Sequence, residues 1–310
     1  MKGVGIPDSL RDRNPGRERI EKGAQAVFTF CALFAVSAVA ALSLYLVFSG
    51  APALVKIGWR EILFGRIWSP TAPEPRYGIF YVVLTSLAGT LLAVLAGGSL
   101  GILTAIFLTE LANPWTAGLI SGALELLAGI PSVIYGLLGV CLVNPLVYRL
   151  ELAVFHDSPT HQFTGGSNLL SASLVLAVMI LPTVASMSET ALRAVPPGVR
   201  EASLALGASQ VQTIFRSVLP AARPGIMTAI VLGMGRALGE ATAIALVSGN
   251  RVSLPLPFAS VRFLTAAVVS EMGYASGIHR QVLFTVGLIL YANILSLNAA
   301  VRGIWREGRR

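Results

Sequence analysis

The sequence predicts an all-α integral membrane protein with six transmembrane helices. Hydrophobic residues make up 55% of the 310 residues, whereas only 12% are charged. That charged fraction is about half of what is usual in soluble domains. The mean hydropathy is +0.74. Long apolar tracts recur along the chain, and each reaches the roughly 20 residues that span the hydrocarbon core of a bilayer.

Each of six tracts is expected to contain one span, at residues 27–49, 78–109, 118–148, 169–188, 225–247 and 281–301. Two of them are longer than a straight crossing needs, but neither holds the roughly 40 residues that two spans and a turn require. We therefore interpret the second tract as one tilted or overhanging helix. We expect the third to be broken or kinked at Pro131, because proline lacks the amide that an interior helical hydrogen bond needs.

The distribution of basic residues predicts that both termini are cytoplasmic. Lys and Arg collect on the cytoplasmic side of membrane proteins, and fourteen of the 23 fall within residues 1–26, 191–224 and 302–310. The resulting division is a basic N-terminal segment (1–26), a six-span domain (27–303) with its core at 77–303 and a cytoplasmic loop at 191–224, and a basic tail (304–310). The net charge of +8 is expected to meet anionic lipid headgroups rather than nucleic acid.

The fifth tract carries two charges in the otherwise apolar stretch GMGRALGEATA, residues 233–243. Arg236 is the twelfth residue of the tract, which predicts a position near the bilayer midplane, where inserting an arginine costs roughly 2.5 to 3.5 kcal/mol. Glu240 is expected one turn further on the same helical face, within reach of an ion pair. Gly235 and Gly239 form a small-xxx-small pattern, which lets another helix approach closely.

Two interpretations of the charged pair stay open at this point. The first is an internal ion pair that only fixes helix packing. The second places Arg236 on a solute path, where its planar guanidinium suits an oxyanion such as phosphate. Glu240 would then orient the guanidinium or accept a hydrogen bond from a protonated oxyanion, because a carboxylate repels a fully deprotonated one.

The loop between the fourth and fifth tracts has the pattern of two short helices. Gly207 separates the two, and Ser209 with Gln212 has the spacing of a capping box at the start of the second. Apolar residues then follow helical spacing until Pro220 and Pro224, which are expected to end this helix. The pattern fits either an interfacial helix lying on lipid or a docking element for a cytosolic protein.

The chain is not expected to be an enzyme. It lacks the nucleotide-binding pattern G-x-x-x-x-G-K-[ST], and no catalytic residue, bound cofactor or metal site is predicted in it. If ATP drives transport, a separate subunit must bind the ATP and Mg²⁺. A metal site at His156, Asp157 and His161 is disfavoured, because these residues fall in a loop that also contains proline and a glycine pair.

Several sequence strings together resemble one transporter family. EASLALGAS (201–209) followed by FRSVLPAARPGI (215–226) resembles the EAA loop of permease subunits of type I binding-protein-dependent ABC importers. ELLAGIPSVIYGLLGV (125–140), FLTEL (107–111) and GRALGEATAIALVSGN (235–250) are similar, more narrowly, to the PstC-type permease subunit of phosphate importers. The resemblance covers most of the chain, from the second tract to the sixth.

This resemblance implies a MetI-like helical bundle and a set of site residues. Arg236 and Glu240 match the intramembrane pair that the family associates with phosphate passage. Ser132, in the GIPS string, is a further candidate for the path. The predicted contacts with an ATPase subunit are the matching EAA residues and two apolar residues of the second loop helix: Glu201, Ala202, Gly207, Val211 and Phe215.

The resemblance also implies partners and a location. They are a homologous PstA-type permease, two cytosolic ATP-binding subunits of the PstB type and a periplasmic phosphate-binding protein, all serving a multi-pass subunit in the bacterial inner membrane. The expected function is ATP-driven import of inorganic phosphate. Import of molybdate or sulfate, a secondary transporter, and a purely structural or sensory membrane subunit are the alternatives.

Three further charged or titratable residues have two interpretations each. Glu125, near one end of the third tract, could lie on the path or at the membrane interface. Glu271 and His279 could contact the binding protein or belong to a solvated loop.

Overall fold

The computed structural model describes residues 15–307. Residues 1–14 and 308–310, the outer parts of the two basic terminal segments, lie outside the described residues. The chain divides into two compact units, Met1–Ser49 and Gly50–Arg310. The described part of the first unit belongs to helix α1, which is assigned to Pro15–Ala53.

The second unit is mostly helical and contains one short hairpin. Its helices up to the third span are α2 (Trp59–Phe64), α3 (Phe80–Ala93), α4 (Ser99–Ile106), α5 (Pro114–Gly129), α6 (Ser132–Leu138) and α7 (Asn144–Val154). The later helices are α8 (Leu169–Arg193), α9 (Pro197–Ala205), α10 (Gln210–Thr213), α11 (Leu219–Gly239), α12 (Thr242–Val247), α13 (Leu264–Glu271) and α14 (Gly277–Glu307). The hairpin pairs β1 (Trp68–Ser69) with β2 (Arg76–Tyr77) in antiparallel register.

π-Helical turns join several of these helices into longer rods. The turns are Leu54–Gly58, Val94–Gly98, Phe107–Leu111, Gly139–Val143 and Ile214–Val218. Across the described part of the chain, six rods are long and apolar enough to cross a membrane: Glu21–Phe64, Phe80–Leu111, Ser132–Val154, Leu169–Arg193, Gln210–Gly239 and Gly277–Ala299. The predicted all-α architecture with six membrane helices is therefore confirmed.

The third tract is broken at the predicted place, but unevenly. Helix α5 ends at Gly129, Ile130 and Pro131 have extended backbone with ψ of 128° and 142°, and α6 begins at Ser132. The rod that starts there runs for 23 residues to Val154. The spanning helix of this tract therefore follows the break, instead of covering the whole tract, and the shorter α5 precedes it.

The fifth tract differs from its prediction at both ends. Pro220 and Pro224 do not end the helix that begins at Gln210, since the rod continues to Gly239. Pro220 is the second residue of α11 and follows the π turn Ile214–Val218, where the regular α-helical bonding of the rod is already interrupted. Pro224 is accommodated inside α11, where burial of one helix face outweighs local propensity. At the other end, α12 is a separate helix.

Helix α8 forms the centre of the second unit, and 67% of its most apolar stretch is buried. Two neighbouring rods approach it closely at glycines. A Cβ added at Gly97 would lie 2.2 Å from the carbonyl oxygen of Ala177, and one added at Gly233 would lie 2.8 Å from Cγ2 of Val184. These glycines let the second rod and α11 pack directly against α8.

The predicted close approach at Gly235 and Gly239 is wrong for contacts within the described residues. An added Cβ at either position would meet no atom within 4 Å, whereas Gly225 and Gly233 are the close contacts of α11. Gly235 lies about 200° around the helix from Gly233. It therefore faces away from α8.

Candidate functional site

The two broken tracts meet at their interruptions. Ser132, the first residue of α6, and Thr242, the first residue of α12, have side-chain hydroxyls 2.9 Å apart. Tyr135 closes the end of α5, because its hydroxyl donates to the carbonyl oxygen of Leu127 at 2.6 Å. Such a bond satisfies one of the carbonyls that a helix C-terminus leaves without a helical partner. Two helix starts and one helix end therefore converge on a small polar cluster.

Glu240 lies in this cluster, but not on the helix that carries Arg236. Its backbone is extended, with ψ of 132°, immediately after α11 ends. Its carboxylate Oε1 accepts hydrogen bonds from the Thr242 hydroxyl and the Ala243 amide, both at 3.0 Å. A carboxylate at this place satisfies amides of the first turn and is favoured by the helix dipole. The prediction that Glu240 follows Arg236 on one helical face is therefore wrong.

Arg236 is held by a neutral partner. Its Nη1 donates to Oγ1 of Thr183 at 3.0 Å, and the residue is half-buried. Within the described residues, the ion pairs within 4.0 Å include neither Arg236 nor Glu240. The internal ion pair that the sequence left open is therefore not formed in this conformation.

The partner of Arg236 indicates its depth along the bundle. Thr183 is the fifteenth of the 25 residues of α8. With a rise of about 1.5 Å per residue, it lies roughly 20 Å from one helix end and 15 Å from the other. The guanidinium that it binds is therefore near the middle of a spanning helix.

Close packing fixes α6 against α12 beside the cluster. A Cβ added at Gly136 would lie 2.9 Å from the Cα of Ala243, and one added at Gly139 would lie 2.6 Å from Cγ1 of Val247. The later residue Gly139 contacts the later residue Val247, as the earlier Gly136 contacts the earlier Ala243. Helices α6 and α12 therefore run in the same direction. The hydroxyls of Ser132 and Thr242 are thus held together at the start of both helices.

The predicted docking loop has the expected local structure. Helix α9 and the rod from Gln210 are separated by Gly207, whose φ is +82°, a value that glycine adopts without strain. The capping box is formed in both directions: the Gln212 amide donates to Ser209 Oγ at 3.3 Å, and the Ser209 amide donates to Gln212 Oε1 at 2.9 Å. This bonding starts the second helix of the loop.

The predicted docking residues lie on the surface of this loop. Glu201, Ala202 and Gly207 are exposed, and Val211 and Phe215 are 62% and 51% exposed. Sequence reasoning missed two apolar neighbours, Leu204 and Leu206, of which Leu206 is 89% exposed. A groove of about 440 Å³ opens between the two helices. Its lining residues are Val199, Ala202, Ser203, Leu206, Ala208, Gln212, Arg216 and Ser217.

Comparison with known proteins identifies the family. Residues 97–304 match the family described as binding-protein-dependent transport system inner membrane component. The chain belongs to this family. It is a multi-pass permease subunit of an ABC importer, a class that works with an ATPase and a binding protein. This membership decides against the secondary transporter that the sequence left as an alternative.

Named relatives cover nearly the whole permease. The "Probable ABC transporter permease protein YqgH" of Bacillus subtilis is 37% identical over 292 residues, which cover 93% of this chain and 91% of the relative. The "Phosphate transport system permease protein PstC" of Haemophilus influenzae is 34% identical over 286 residues, which cover 88% of each chain.

A solved structure shows the same fold. A chain of a bacterial alginate ABC transporter, crystallised with an alginate-bound periplasmic protein, matches the permease with a TM-score of 0.65 and 14% identity. The match covers 96% of this chain and 98% of that one. At this level of identity the likeness establishes the architecture alone.

Glu271 and His279 form a buried network in the permease, and the interpretation as a solvated loop is wrong. They are 4% and 8% exposed. The Glu271 carboxylate lies 2.8 Å from His279 Nε2, accepts from Trp68 Nε1 at 3.0 Å and pairs with Arg262. Arg262 also donates from Nε to the carbonyl oxygen of Asn250 at 2.9 Å. Burial explains the difference, since a buried carboxylate requires several donors.

His156, Asp157 and His161 do not form one group in the permease. His156 Nδ1 lies 2.7 Å from Asp157 Oδ1, with side chains 83% and 96% exposed. His161 instead stacks on Phe155, with ring centroids 3.8 Å apart, and its Nε2 lies 2.8 Å from the buried carboxylate of Glu151. Among the described residues, no group of three or more metal-ligating side chains is found.

Glu125 lies on α5 and is exposed within the chain. Both interpretations of this residue stay predictions. The sequence signal that could have found the other polar residues of the site is weak, because Thr183 is one of six Ser or Thr residues in α8 and Thr242 begins a short apolar helix.

Proposed function

We propose that this permease passes inorganic phosphate, and that Arg236, Glu240 and Ser132 lie along its path. The observation that carries the proposal is the Arg236 guanidinium, whose one hydrogen bond within the described residues is to the Thr183 hydroxyl, near the middle of a spanning helix. Burying an arginine at such depth is costly, and such residues usually face a cavity or a partner. An anion that enters transiently supplies the missing negative charge.

The polar cluster beside Arg236 supports a solute that carries both acceptor oxygens and a proton. In this conformation Thr242 donates its single hydroxyl proton to Glu240, so Ser132 donates to Thr242. Either hydroxyl would donate to an oxyanion oxygen by leaving its present acceptor, whereas the Glu240 carboxylate can only accept. A carboxylate tolerates a protonated oxyanion, because it can accept a hydrogen bond from the O–H group of that anion. It repels an oxyanion that carries no proton. Phosphate keeps at least one proton at neutral pH, because its last proton dissociates only far above neutrality, whereas sulfate has none left.

The names of the relatives support the same anion. PstC of Haemophilus influenzae is named as a phosphate permease, whereas the name of YqgH gives no substrate. Import of molybdate or sulfate is therefore the alternative that the test has to separate.

The proposed assembly follows the sequence resemblance. The chain would stand beside a PstA-type permease in the bacterial inner membrane, with both termini in the cytoplasm. Two PstB-type subunits would bind ATP and Mg²⁺ and dock on Glu201, Ala202, Gly207, Val211 and Phe215. A periplasmic phosphate-binding protein would deliver the anion to the opposite side, and nucleotide-driven closure would alternate the access of the path.

The test is uptake of labelled phosphate by cells that carry Arg236→Gln in place of the native chain. Loss of the charge should lower uptake by about tenfold or more, the range expected when a hydrogen bond to a charged group is removed. Arg236→Lys keeps the positive charge but lacks the planar guanidinium, so its phosphate uptake should lie between that of the wild type and that of Arg236→Gln. Arg251→Gln removes an exposed arginine that bonds Gln162 and serves as the matched control.

Co-purification of the ATPase subunit checks that each variant still assembles. Unchanged uptake by the Arg236→Gln variant would exclude Arg236 from the path. Arsenate resembles phosphate in shape and protonation, so it should compete for the path. Inhibition of uptake by a small excess of molybdate or sulfate, but not by arsenate, would contradict phosphate as the substrate.

A further inference from the structure

One ion pair ties the docking loop to two spanning helices. Arg200, on α9, and Glu110, in the π turn Phe107–Leu111, are 90 positions apart. Nη2 of Arg200 donates to Oε1 of Glu110 at 2.7 Å, and Nε lies 3.3 Å from both carboxylate oxygens. The side chains are 26% and 9% exposed. The fork geometry makes this a strong and directional contact.

Arg200 also holds the end of α8. Its Nη2 donates to the carbonyl oxygen of Leu192 at 3.1 Å and its Nη1 to that of Val195 at 3.0 Å. Carbonyls at a helix C-terminus lack helical partners, and a cation there is favoured by the dipole. A single guanidinium therefore connects α9 with the ends of α8 and the second span.

The second helix of the docking loop is attached to the same point. Nε2 of Gln210 donates to the backbone carbonyl of Glu110 at 3.2 Å. A buried apolar cluster joins the second span, the C-terminal end of α8 with the turn after it, and the rod Gln210–Gly239. Its residues are Ala105, Ile106, Leu192, Val195, Ile214, Val218, Ala222 and Ile226. Both halves of the docking loop are thus fixed to one carboxylate-bearing turn.

Arg200 lies on a different side of α9 from Glu201 and Ala202, its neighbours in the proposed dock. Arg200 is partly buried, whereas Glu201 and Ala202, about 100° and 200° further around the helix, are exposed. A substitution at Glu110 or Arg200 therefore changes how the loop is attached without changing the residues offered to a partner.

We propose that Glu110 and Arg200 are positioning residues that transmit movement of the docking loop into the second and fourth spans. This inference rests on the proposed docking of an ATPase subunit on the loop. Pulling on α9 moves α8 and the π turn together, because the guanidinium bonds both. Without the ion pair, the docking loop can move with the ATPase subunit while the second and fourth spans move less.

A nearby ion pair provides a matched control. Glu189 and Arg193 are four residues apart on α8, with Oε1 and Nη2 separated by 2.9 Å and side chains 20% and 60% exposed. This pair joins no second element. Substituting it changes the same types of charge near the same loop without loosening the attachment.

The experiment uses the assembled transporter with Glu110→Gln, Arg200→Gln and the double variant, compared with Glu189→Gln and Arg193→Gln. Three quantities are measured: co-purification of the ATPase subunit, stimulation of ATP hydrolysis by the loaded binding protein, and uptake. For Glu110→Gln and Arg200→Gln we expect normal co-purification but an uptake per ATP hydrolysed that is lower by about tenfold, the upper range of single-site effects on coupling. The double variant should be no worse than Arg200→Gln alone, because loss of the guanidinium already removes the ion pair together with its bonds to Leu192 and Val195.

Each outcome decides between the two proposals. Unchanged uptake per ATP in the Glu110→Gln variant, or an equal loss in the Glu189→Gln control, overturns the positioning role. Loss of co-purification in Glu110→Gln also overturns it, because the pair would then build the dock itself. If the wild-type chain captures no ATPase subunit, the proposed docking fails first. The ratio of anion uptake to ATP hydrolysis can be measured with any transported anion. This test therefore remains interpretable even if the transported anion is not phosphate.

Discussion

The side-chain hydroxyls of Ser132 and Thr242 lie 2.9 Å apart although 110 positions separate them in the sequence. Thr242 also donates to the Glu240 carboxylate at 3.0 Å. The threonine hydroxyl therefore bridges the two helix interruptions and fixes the carboxylate beside them. Because this bond joins the break in the third tract to the break in the fifth, it is the most direct target for perturbing the proposed path without touching Arg236.

Thr242→Val removes the bridging hydroxyl and keeps the side-chain shape. Glu240 then retains only the Ala243 amide, and uptake should fall by about threefold to tenfold, as expected for one lost hydrogen bond. Thr242→Ser keeps the hydroxyl and should stay close to wild type. Thr228→Val, which removes only a local bond to Pro224 on α11, is a second control. Equal uptake by the Thr242→Val and wild-type permeases would argue against the bridge.

Gly136→Ala tests the contact between α6 and α12. The added Cβ would lie 2.7 Å from Leu246 Cδ1 and 2.9 Å from the Cα of Ala243, and the backbone atom cannot move easily. We expect a loss of about 1 to 3 kcal/mol in the free energy of unfolding, measured as a lower unfolding temperature in detergent. Gly122→Ala, with no atom within 4 Å of the added Cβ, should be neutral or slightly stabilising.

Glu271→Leu should strongly destabilise the permease. The substitution leaves Arg262, Trp68 and His279 without their shared buried acceptor, and breaking one side of a buried ion pair costs about 3 to 5 kcal/mol. Thermal unfolding of the purified permease measures the effect. Asp157→Asn, in a side chain that is 96% exposed, should unfold at the wild-type temperature. A small effect of Glu271→Leu would show that the network contributes little to stability.

Tyr77, in the hairpin of β1 and β2, makes the stability of the permease depend on alkaline pH. Burial raises the pKa of the Tyr77 hydroxyl above its ordinary value of 10.0. The folded state therefore favours the neutral phenol, so its contribution is complete below about pH 10 and is lost as the pH rises through the raised pKa. Tyr77→Phe cannot ionise, and its unfolding temperature should fall less than that of wild type between about pH 9 and pH 11. Parallel loss in both proteins would contradict this assignment.

The sequence predicted those features that depend on local pattern. Apolar length was enough for the six spans, the Gly-Ile-Pro string for the break before Ser132, and the Ser209 and Gln212 spacing for the capping box. Each of these depends on residues within one helix or at its end, where propensity and spacing act directly.

The remaining features depend on contacts between distant residues. Glu240 leaves the helix because its carboxylate caps α12 and its carbonyl accepts from Thr265, 25 positions later. The bond between Trp68 and Glu271 joins residues 203 positions apart. Hydrophobic periodicity carries no information on such pairings. Neither interpretation of Glu271 from the sequence therefore included its buried network.

The π turn Ile214–Val218 separates the exposed docking residue Val211 from Arg236 along one continuous rod. Each residue advances an α-helix by about 100°, and a π turn accommodates one extra residue. Deleting a single residue there would restore regular winding and swing the dock about a quarter of a revolution around the axis. The azimuth at which the loop meets its partner is therefore set by the number of residues in that turn, whatever their identity.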